Sequence, residues 1–237
     1  THAITRGDGT TGENVVSNVR TIRTVPLALD LKKPPALLEV RGEILMFKKD
    51  FLELNENQQE AGLQTFANPR NAAAGTIRQL DSKVAASRPL RFFAYSLGAL
   101  DGVSFESQEE AEQKLGEWGL PVVQDFKGKP LRQLCKGVDS VIDYYHRIED
   151  LRHELPFDID GIVVKVNSFR VQDDLGLVAR SPRWAAAAKY KPEQAETLIE
   201  DIQVQVGRTG ALTPVAIMRP VKVGGVTVTN ATLHNQD

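Results

Sequence analysis

The chain changes character once, at Lys191-Pro192-Glu193, and that change limits the architectures open to it. Before it, apolar pieces that fit helices alternate with pieces that fit strands. After it come only short strand-like runs, Ile202–Val206, Val215–Met218 and Val226–Ala231, divided by Gly207, Gly210, Pro214, Gly224 and Gly225. Pro192 lacks an N–H and has a fixed φ, so a helix reaching it does not run on. The first part therefore reads as α+β, and the tail suits a small barrel with tight turns. A domain boundary here divides 1–191 from 192–237.

Composition narrows the class. The 237 residues are 41% hydrophobic and 25% charged, with a net charge of -2. That is the profile of a soluble globular chain rather than a disordered one. No apolar run approaches the ~20 residues a membrane helix needs. Cys135 stands alone, which excludes an internal disulfide framework and a cysteine-cluster zinc site. His2, His146, His153 and His234 show no ligand spacing. These features fit a reduced, cytosolic protein. The opening Thr1-His2-Ala3-Ile4 has neither a Met nor the plan of a signal peptide, and is expected to have lost upstream sequence.

Local patterns place the elements. Residues 36–47 read as a strand pair or a strand bent at Gly42. Residues 48–62 fit a helix with Phe51, Leu52 and Leu54 on its apolar side and Gly62 as its stop. Asn68-Pro69-Arg70-Asn71 reads as a turn before a short helix over 72–80. Leu90–Leu97 is a strand, Gln108–Trp118 and Val138–Glu149 are helices, and Gly161–Val166 is a strand. Arg183–Tyr190 is a short Ala-rich piece.

Charge is segregated. Residues 66–91 hold Arg70, Arg78, Lys83, Arg88 and Arg91 against Asp81 alone. Residues 162–192 hold six basic side chains against Asp173 and Asp174, whereas 101–160 holds fourteen acids and seven bases. Basic segments that share a face attract phosphate locally whatever the net charge; basic segments that do not are solvated surface. Charge alone leaves both readings open.

The sharpest local signal is Asp158-Ile159-Asp160-Gly161-Ile162-Val163-Val164-Lys165-Val166. Strand period puts Val163 and Lys165 on one face and Ile162, Val164 and Val166 on the other. Either Lys165 snorkels at a sheet edge, or it aims at an anion in a cleft with Asp160 at the strand mouth. Glu39, Arg41 and Glu43 likewise share a face beside Gly42. That face is either solvated or a place where a ligand comes close. Arg70 and Arg78 flank the small residues Ala72–Gly75. Eight apart on a helix, they lie within about 80° of each other, and paired guanidinium forks suit phosphate. Lys189 is a second lysine in a small-residue setting. Gly207-Arg208-Thr209-Gly210 is a tight turn presenting Arg208. Gly7–Gly12 lacks the Lys-Ser/Thr ending of a P-loop. The residues thus point to a cationic, small-residue cleft suited to a nucleotide phosphate or a nucleic-acid backbone.

Taken in order, Thr5–Gly12, Leu38–Glu43, Ala67–Arg78, Phe92–Tyr95, Asp158–Val166, Ala179–Lys191, Gln205–Pro214 and Asn230–Asn235 resemble bacterial NAD-dependent DNA ligases. The resemblance implies an α+β nucleotidyltransferase (adenylation) domain of antiparallel sheets with flanking helices over 1–191, and the start of an OB-fold barrel over 192–237. It implies an enzyme that seals nicks in duplex DNA in replication and repair, with NAD as adenylate donor and Mg2+ helping to neutralise phosphates. Zn2+ would belong to a domain outside this chain. By the same likeness, Asp160, Lys165 and Lys189 are catalytic. Arg6, Glu43, Tyr95, Lys165 and Lys189 hold the NAD/AMP. Arg70, Arg78, Arg152 and Arg208 grip DNA. No metal ligand is assigned. The partner is nicked DNA rather than a membrane, and the enzyme is a cytoplasmic monomer. One departure stands out. The family's nucleophile lies in a Lys-x-Asp-Gly motif, which does not occur here, so the chain reads as an inactive fragment of the enzyme. A non-catalytic DNA-binding module and an ATP-dependent ligase or RNA-capping relative are the other readings. The Asn-Pro-Arg-Asn-Ala-Ala-Ala-Gly and Gly-Arg-Thr-Gly stretches favour the NAD type over the ATP type.

Overall fold

A computed structural model describes residues 1–178, 181–192, 194–206, 210–223 and 226–233. They form two compact units, Thr1–Tyr190 and Lys191–Asp237.

In the first unit a turn over 6–12 is closed by a bridge between Ile4 and Asn14, and leads into the short helix α1 (Val16–Val19). Asn18 is buried, and its Nδ2 donates to the carbonyls of Ile77 at 2.8 Å and Gln79 at 2.7 Å. Strand β1 (Leu37–Leu45) pairs antiparallel with β2 (Arg91–Asp101). It is one continuous strand, and its register against β2 shifts between Arg41 and Gly42. A Cβ on Gly42 would stand 2.3 Å from the Phe92 ring, so that ring occupies the space a side chain would need.

Between these strands lie α2 (Lys48–Glu60), α3 (Pro69–Ile77) and α4 (Ser82–Ser87). Phe51 and Leu54, three apart, pack inward on α2, while Leu52 is exposed, turned away by ~100° of helix. The predicted turn at 68–71 is instead the start of α3. Asn68 Oδ1 caps it by accepting from the Asn71 N–H at 2.8 Å, and Pro69 takes the first helical position, where no N–H is needed. Arg78 is the C-cap of this helix at φ -96°, and both Arg70 and Arg78 are exposed.

Next come α5 (Gln108–Glu117), the small hairpin β3 (Asp125–Phe126) and β4 (Lys129–Pro130), and α6 (Val138–Leu151). Ser107 Oγ caps α5, and Glu109 and Glu110 sit in its first turn, where the helix dipole favours acids. Strand β5 (Gly161–Lys165) is followed by α7 (Phe169–Leu175), the two-residue strands β6 (Leu177–Val178) and β7 (Ser181–Pro182), and β8 (Ala185–Lys189). The Ala-rich piece is therefore a strand. It pairs antiparallel with β5, Gly161 opposite Lys189 and Lys165 opposite Ala185.

Each of these two sheets buries one face. The Ile44 and Phe92 side of β1–β2 packs on Met46, Ala72, Ala73, Ile77 and Leu90. Farther along, Ala94 packs with Leu115 and Trp118, and Leu38, Val40 and Leu97 lie against them. The Ile162 side of β5–β8 packs on Ile148, Leu151 and Tyr190. The opposite faces stay open.

In the second unit, β9 (Ile199–Val206), β10 (Leu212–Val223) and β11 (Val226–Thr232) form an antiparallel sheet in the order β11-β10-β9, with Val215 and Ala216 buried. Among the described residues the sheet does not close into a barrel. Arg208 and its neighbours Gly207 and Thr209 lie outside the described residues. No described helix is long and apolar enough to cross a membrane.

A Cβ at position 161 would stand 2.3 Å from the Ala188 carbonyl oxygen. Gly161→Ala is expected to cost about 1–3 kcal/mol through forced backbone movement, read as a lower urea midpoint; an unchanged midpoint would show that β8 yields freely.

Candidate functional site

The open faces carry the predicted residues. On β5–β8, pairing puts Gly161, Val163 and Lys165 on one side together with Lys189, Ala187 and Ala185. The two lysines stand at opposite ends, about 13 Å apart along the strand, with only small side chains and Val163 between them. Those small residues make a low floor over which a flat ligand can lie.

At one end, Lys189 Nζ lies 3.3 Å from Asp160 Oδ2, with both side chains about three-quarters exposed (73% and 76%). So exposed a pair is worth little, and either partner is available to a ligand. At the other end, Lys165 Nζ donates to the carbonyl oxygen of Tyr95 on β2 and lies 5.5 Å from the Tyr95 ring centre. Its side chain is only 17% exposed. Burial pushes the Lys165 ammonium below its ordinary pKa, and Glu112, 3.9 Å away on α5, pulls in the opposite direction.

On β1–β2 the register shift leaves Tyr95 as the extra residue between the pairs Gly42–Ala94 and Arg41–Ser96. Tyr95 is 48% exposed and offers a ring for stacking. Glu43 stands opposite Phe93, on the open side of the sheet. Among the described residues Glu43 pairs with no cation. Glu39 differs: its carboxylate accepts from the Ala99 N–H at 3.1 Å and from Arg41 Nε at 2.9 Å, which lower its pKa. Of the two carboxylates on this face, Glu39 is committed to the sheet and Glu43 is available.

The two sheets are joined by more than Lys165. Phe157, just ahead of β5, lies 6.0 Å from Phe93 and 5.9 Å from Phe47 between ring centres. Asp158 pairs with Lys48 at 3.2 Å, and the Lys48 N–H donates to the Pro156 carbonyl. A cavity of about 220 Å3 beside Phe93 and Phe157 is mainly apolar, and none of the predicted residues lines it.

Tyr95, Lys165, Asp160, Lys189 and Glu43 thus lie on joined open faces. Arg152 ends α6 with its guanidinium 5.7 Å from the centre of the Tyr190 ring, next to Lys189 in sequence. Arg6 is exposed on the 6–12 turn. The arginines of α3 stand apart: Ala72, Ala73 and Ile77 pack that helix against the covered face of β1–β2, and Arg78 pairs with Glu13 at 3.0 Å. Sequence reasoning missed Gln108, Glu112 and Arg132. Glu112 accepts from Gln108 at 2.7 Å and from Arg132 at 3.0 Å. Only the Gln108–Glu112 spacing, one helical turn, was visible beforehand.

Such a site can stack a flat ring, accept hydroxyl donors at Glu43 and neutralise a phosphate with two ammonium groups. Among the described residues no three His, Cys, Asp or Glu side chains gather to hold a metal ion.

A model of the NAD-dependent DNA ligase adenylation domain matches residues 1–193, and one of the NAD-dependent DNA ligase OB-fold domain matches residues 196–237. The DNA ligase of Bdellovibrio bacteriovorus is 68% identical over 235 residues, covering 99% of this chain and 34% of that protein. The DNA ligase of Geobacter sulfurreducens is 53% identical over 231 residues, covering 98% of this chain and 34% of its own length. The chain spans about a third of the length of these curated relatives.

A lysine whose folded pKa lies below its unfolded value, here 10.5, adds stability above the unfolded value that is lost as pH falls through the folded one. Stability should therefore rise with pH between the lowered Lys165 value and 10.5. In Lys165→Met that rise should disappear. Urea unfolding at stepped alkaline pH measures it, and parallel curves for the two proteins would refute the assignment.

Proposed function

The chain belongs to the NAD-dependent DNA ligases, and we propose that it supplies the adenylate-binding surface with which such an enzyme seals nicks in duplex DNA. In this reading 1–191 is the adenylation domain and 192–237 the start of the OB fold. The observation that carries it is the meeting of Lys165 and Tyr95 across two half-open sheets, with Glu43 unpaired on the same side.

The family likeness assigns the roles, and the chemistry of each group suits them. The Tyr95 ring stacks on adenine, a contact worth about 1–3 kcal/mol per base. Glu43 accepts from the ribose hydroxyls. Lys165 and Lys189 flank the α-phosphate and offset the charge that gathers on its oxygens as one bond forms and another breaks. Asp160 orients the region of the attacking nucleophile or a metal ion. Arg6 lies toward the departing nicotinamide half. Arg70, Arg78, Arg152 and Arg208 hold the DNA strand; Arg78 must exchange Glu13 for a phosphate to do so.

The sealing sequence has three displacements at phosphorus. A lysine amine attacks the α-phosphorus of NAD and nicotinamide mononucleotide leaves. The 5′-phosphate of the nick then takes the AMP. Finally the 3′-hydroxyl attacks that phosphate and AMP leaves. The attacking amine is neither Lys165 nor Lys189, and the 237 residues contain no Lys-x-Asp-Gly. Among the described residues no three acidic, imidazole or thiol side chains gather to enclose a metal ion; Mg2+ would be held chiefly by the substrate phosphates and would neutralise part of their charge. The same likeness makes the enzyme a monomer of the bacterial cytoplasm.

In the whole ligase containing these residues, Lys165→Ala is expected to slow sealing at least about 100-fold, the usual effect of removing one charge-stabilising donor, with circular dichroism unchanged. Tyr95→Ala should weaken NAD use more modestly. Wild-type sealing by a folded Lys165→Ala enzyme would defeat the reading.

A further inference from the structure

Lys165 is surrounded by more than a ligand site requires. Glu112, in the second turn of α5, is 13% exposed, and both its oxygens are engaged. Oε2 accepts from Arg132 Nη1 at 3.0 Å. Oε1 accepts from Gln108 Nε2 at 2.7 Å and faces Lys165 Nζ at 3.9 Å. The last distance is too long for a hydrogen bond, so Glu112 acts on Lys165 through charge. Gln108 Nε2 also approaches the Tyr95 carbonyl, at 3.4 Å, the same oxygen that accepts from Lys165.

We propose that Glu112 is a positioning residue for Lys165, holding its ammonium at the Tyr95 end of the open face until a phosphate takes it over. The proposal rests on the reading of Lys165 as a phosphate contact.

Three features make this a tether rather than a fixed bridge. An ammonium carries three donors, and the Tyr95 carbonyl takes one, leaving others for a ligand. Arg132 is the close partner of Glu112, so the carboxylate is not left without a cation when Lys165 moves to the phosphate. A buried carboxylate stranded alone would be costly; Arg132 removes that obstacle. Finally, Lys165 occupies a desolvated place that disfavours its charge, and Glu112 opposes that loss. A neutral amine could not stabilise a phosphate oxygen.

The titratable and charged groups facing Lys165 Nζ are Tyr95 from β2 and Glu112 from α5, with Arg132 acting on it through Glu112. This predicts opposite signs for two variants. Removing the Glu112 charge should make Lys165 easier to deprotonate. Removing Arg132 should make it harder, because Glu112 then faces Lys165 alone.

The experiment measures sealing of a pre-adenylated nick against pH in the whole ligase. In Glu112→Gln the alkaline limb should move down by about one pH unit. In Arg132→Gln it should move up, and Glu112→Asp should return it close to the wild-type position. Near-ultraviolet circular dichroism checks folding. Should Glu112→Gln fail to fold, Arg132→Gln decides the matter, and no upward movement overturns the proposal. Equal or same-direction shifts in the two Gln variants also overturn it, since a purely structural bridge loses the same contact from either side. An inactive Lys165→Ala with an unmoved limb in Glu112→Gln overturns the role of Glu112 alone. Full activity in Lys165→Ala takes down the reading of the site with it.

Discussion

A charged amine placed in an apolar strand governs the arrangement of this site. Lys165 belongs to a five-residue strand whose other face supplies core. Its ammonium must therefore leave on the open side and find an acceptor there. It finds the Tyr95 carbonyl, on a different sheet. Joining two sheets through one lysine would be weak by itself. The packing of Phe157 on Phe93 and the pairing of Asp158 with Lys48 share the task at the other end of the strand. The relation of Tyr95 to Lys165 thus depends on apolar packing several residues upstream of either charge.

Two-stranded sheets are marginal alone, and here each leans on helices. The core under β1–β2 draws on α3 and α5, and that under β5–β8 on α6. This one-sided support frees the other faces to carry polar groups. Gly161, Ala185 and Ala187 keep the space between Lys165 and Lys189 low. The bulge in β2 serves the same end, since it sets Tyr95 outside regular pairing, where it stays half exposed.

What could be read in advance follows the range of the interactions. The inward and outward faces of 161–166 were legible because strand period is local, and they held. Local reading failed where two signals competed. Asn68-Pro69 looks like a turn, yet Pro at the first helical position with Asn before it also opens a helix, and packing of Ala72 and Ala73 decided for the helix. The Ala-rich piece 185–189 carries little strand preference of its own. Its small side chains are there because Gly161 and Val163 run alongside. Glu112 was invisible because its partners, Arg132 and Lys165, lie 20 and 53 positions away, and nothing within α5 announces them. Tyr95 and Arg152 came from family likeness alone, since a strand tyrosine and a helix-end arginine are ordinary features.

The separation of charge along the chain takes on physical meaning once folded. Three acids of the stretch 101–160 are set against cations distant in sequence: Glu112 against Arg132 and Lys165, Asp158 against Lys48, and Asp160 against Lys189. The cationic character of the site is therefore conditional. At the exposed Asp160–Lys189 pair a phosphate would compete with a partner that water already screens. At Lys165 it would compete at a desolvated position, where each charge interacts more strongly and the geometry of neighbours counts for more. The two lysines resemble each other in sequence setting, yet they stand at opposite ends of this range. Burial, rather than residue type, separates a lysine that water already screens from one whose charge depends on its neighbours.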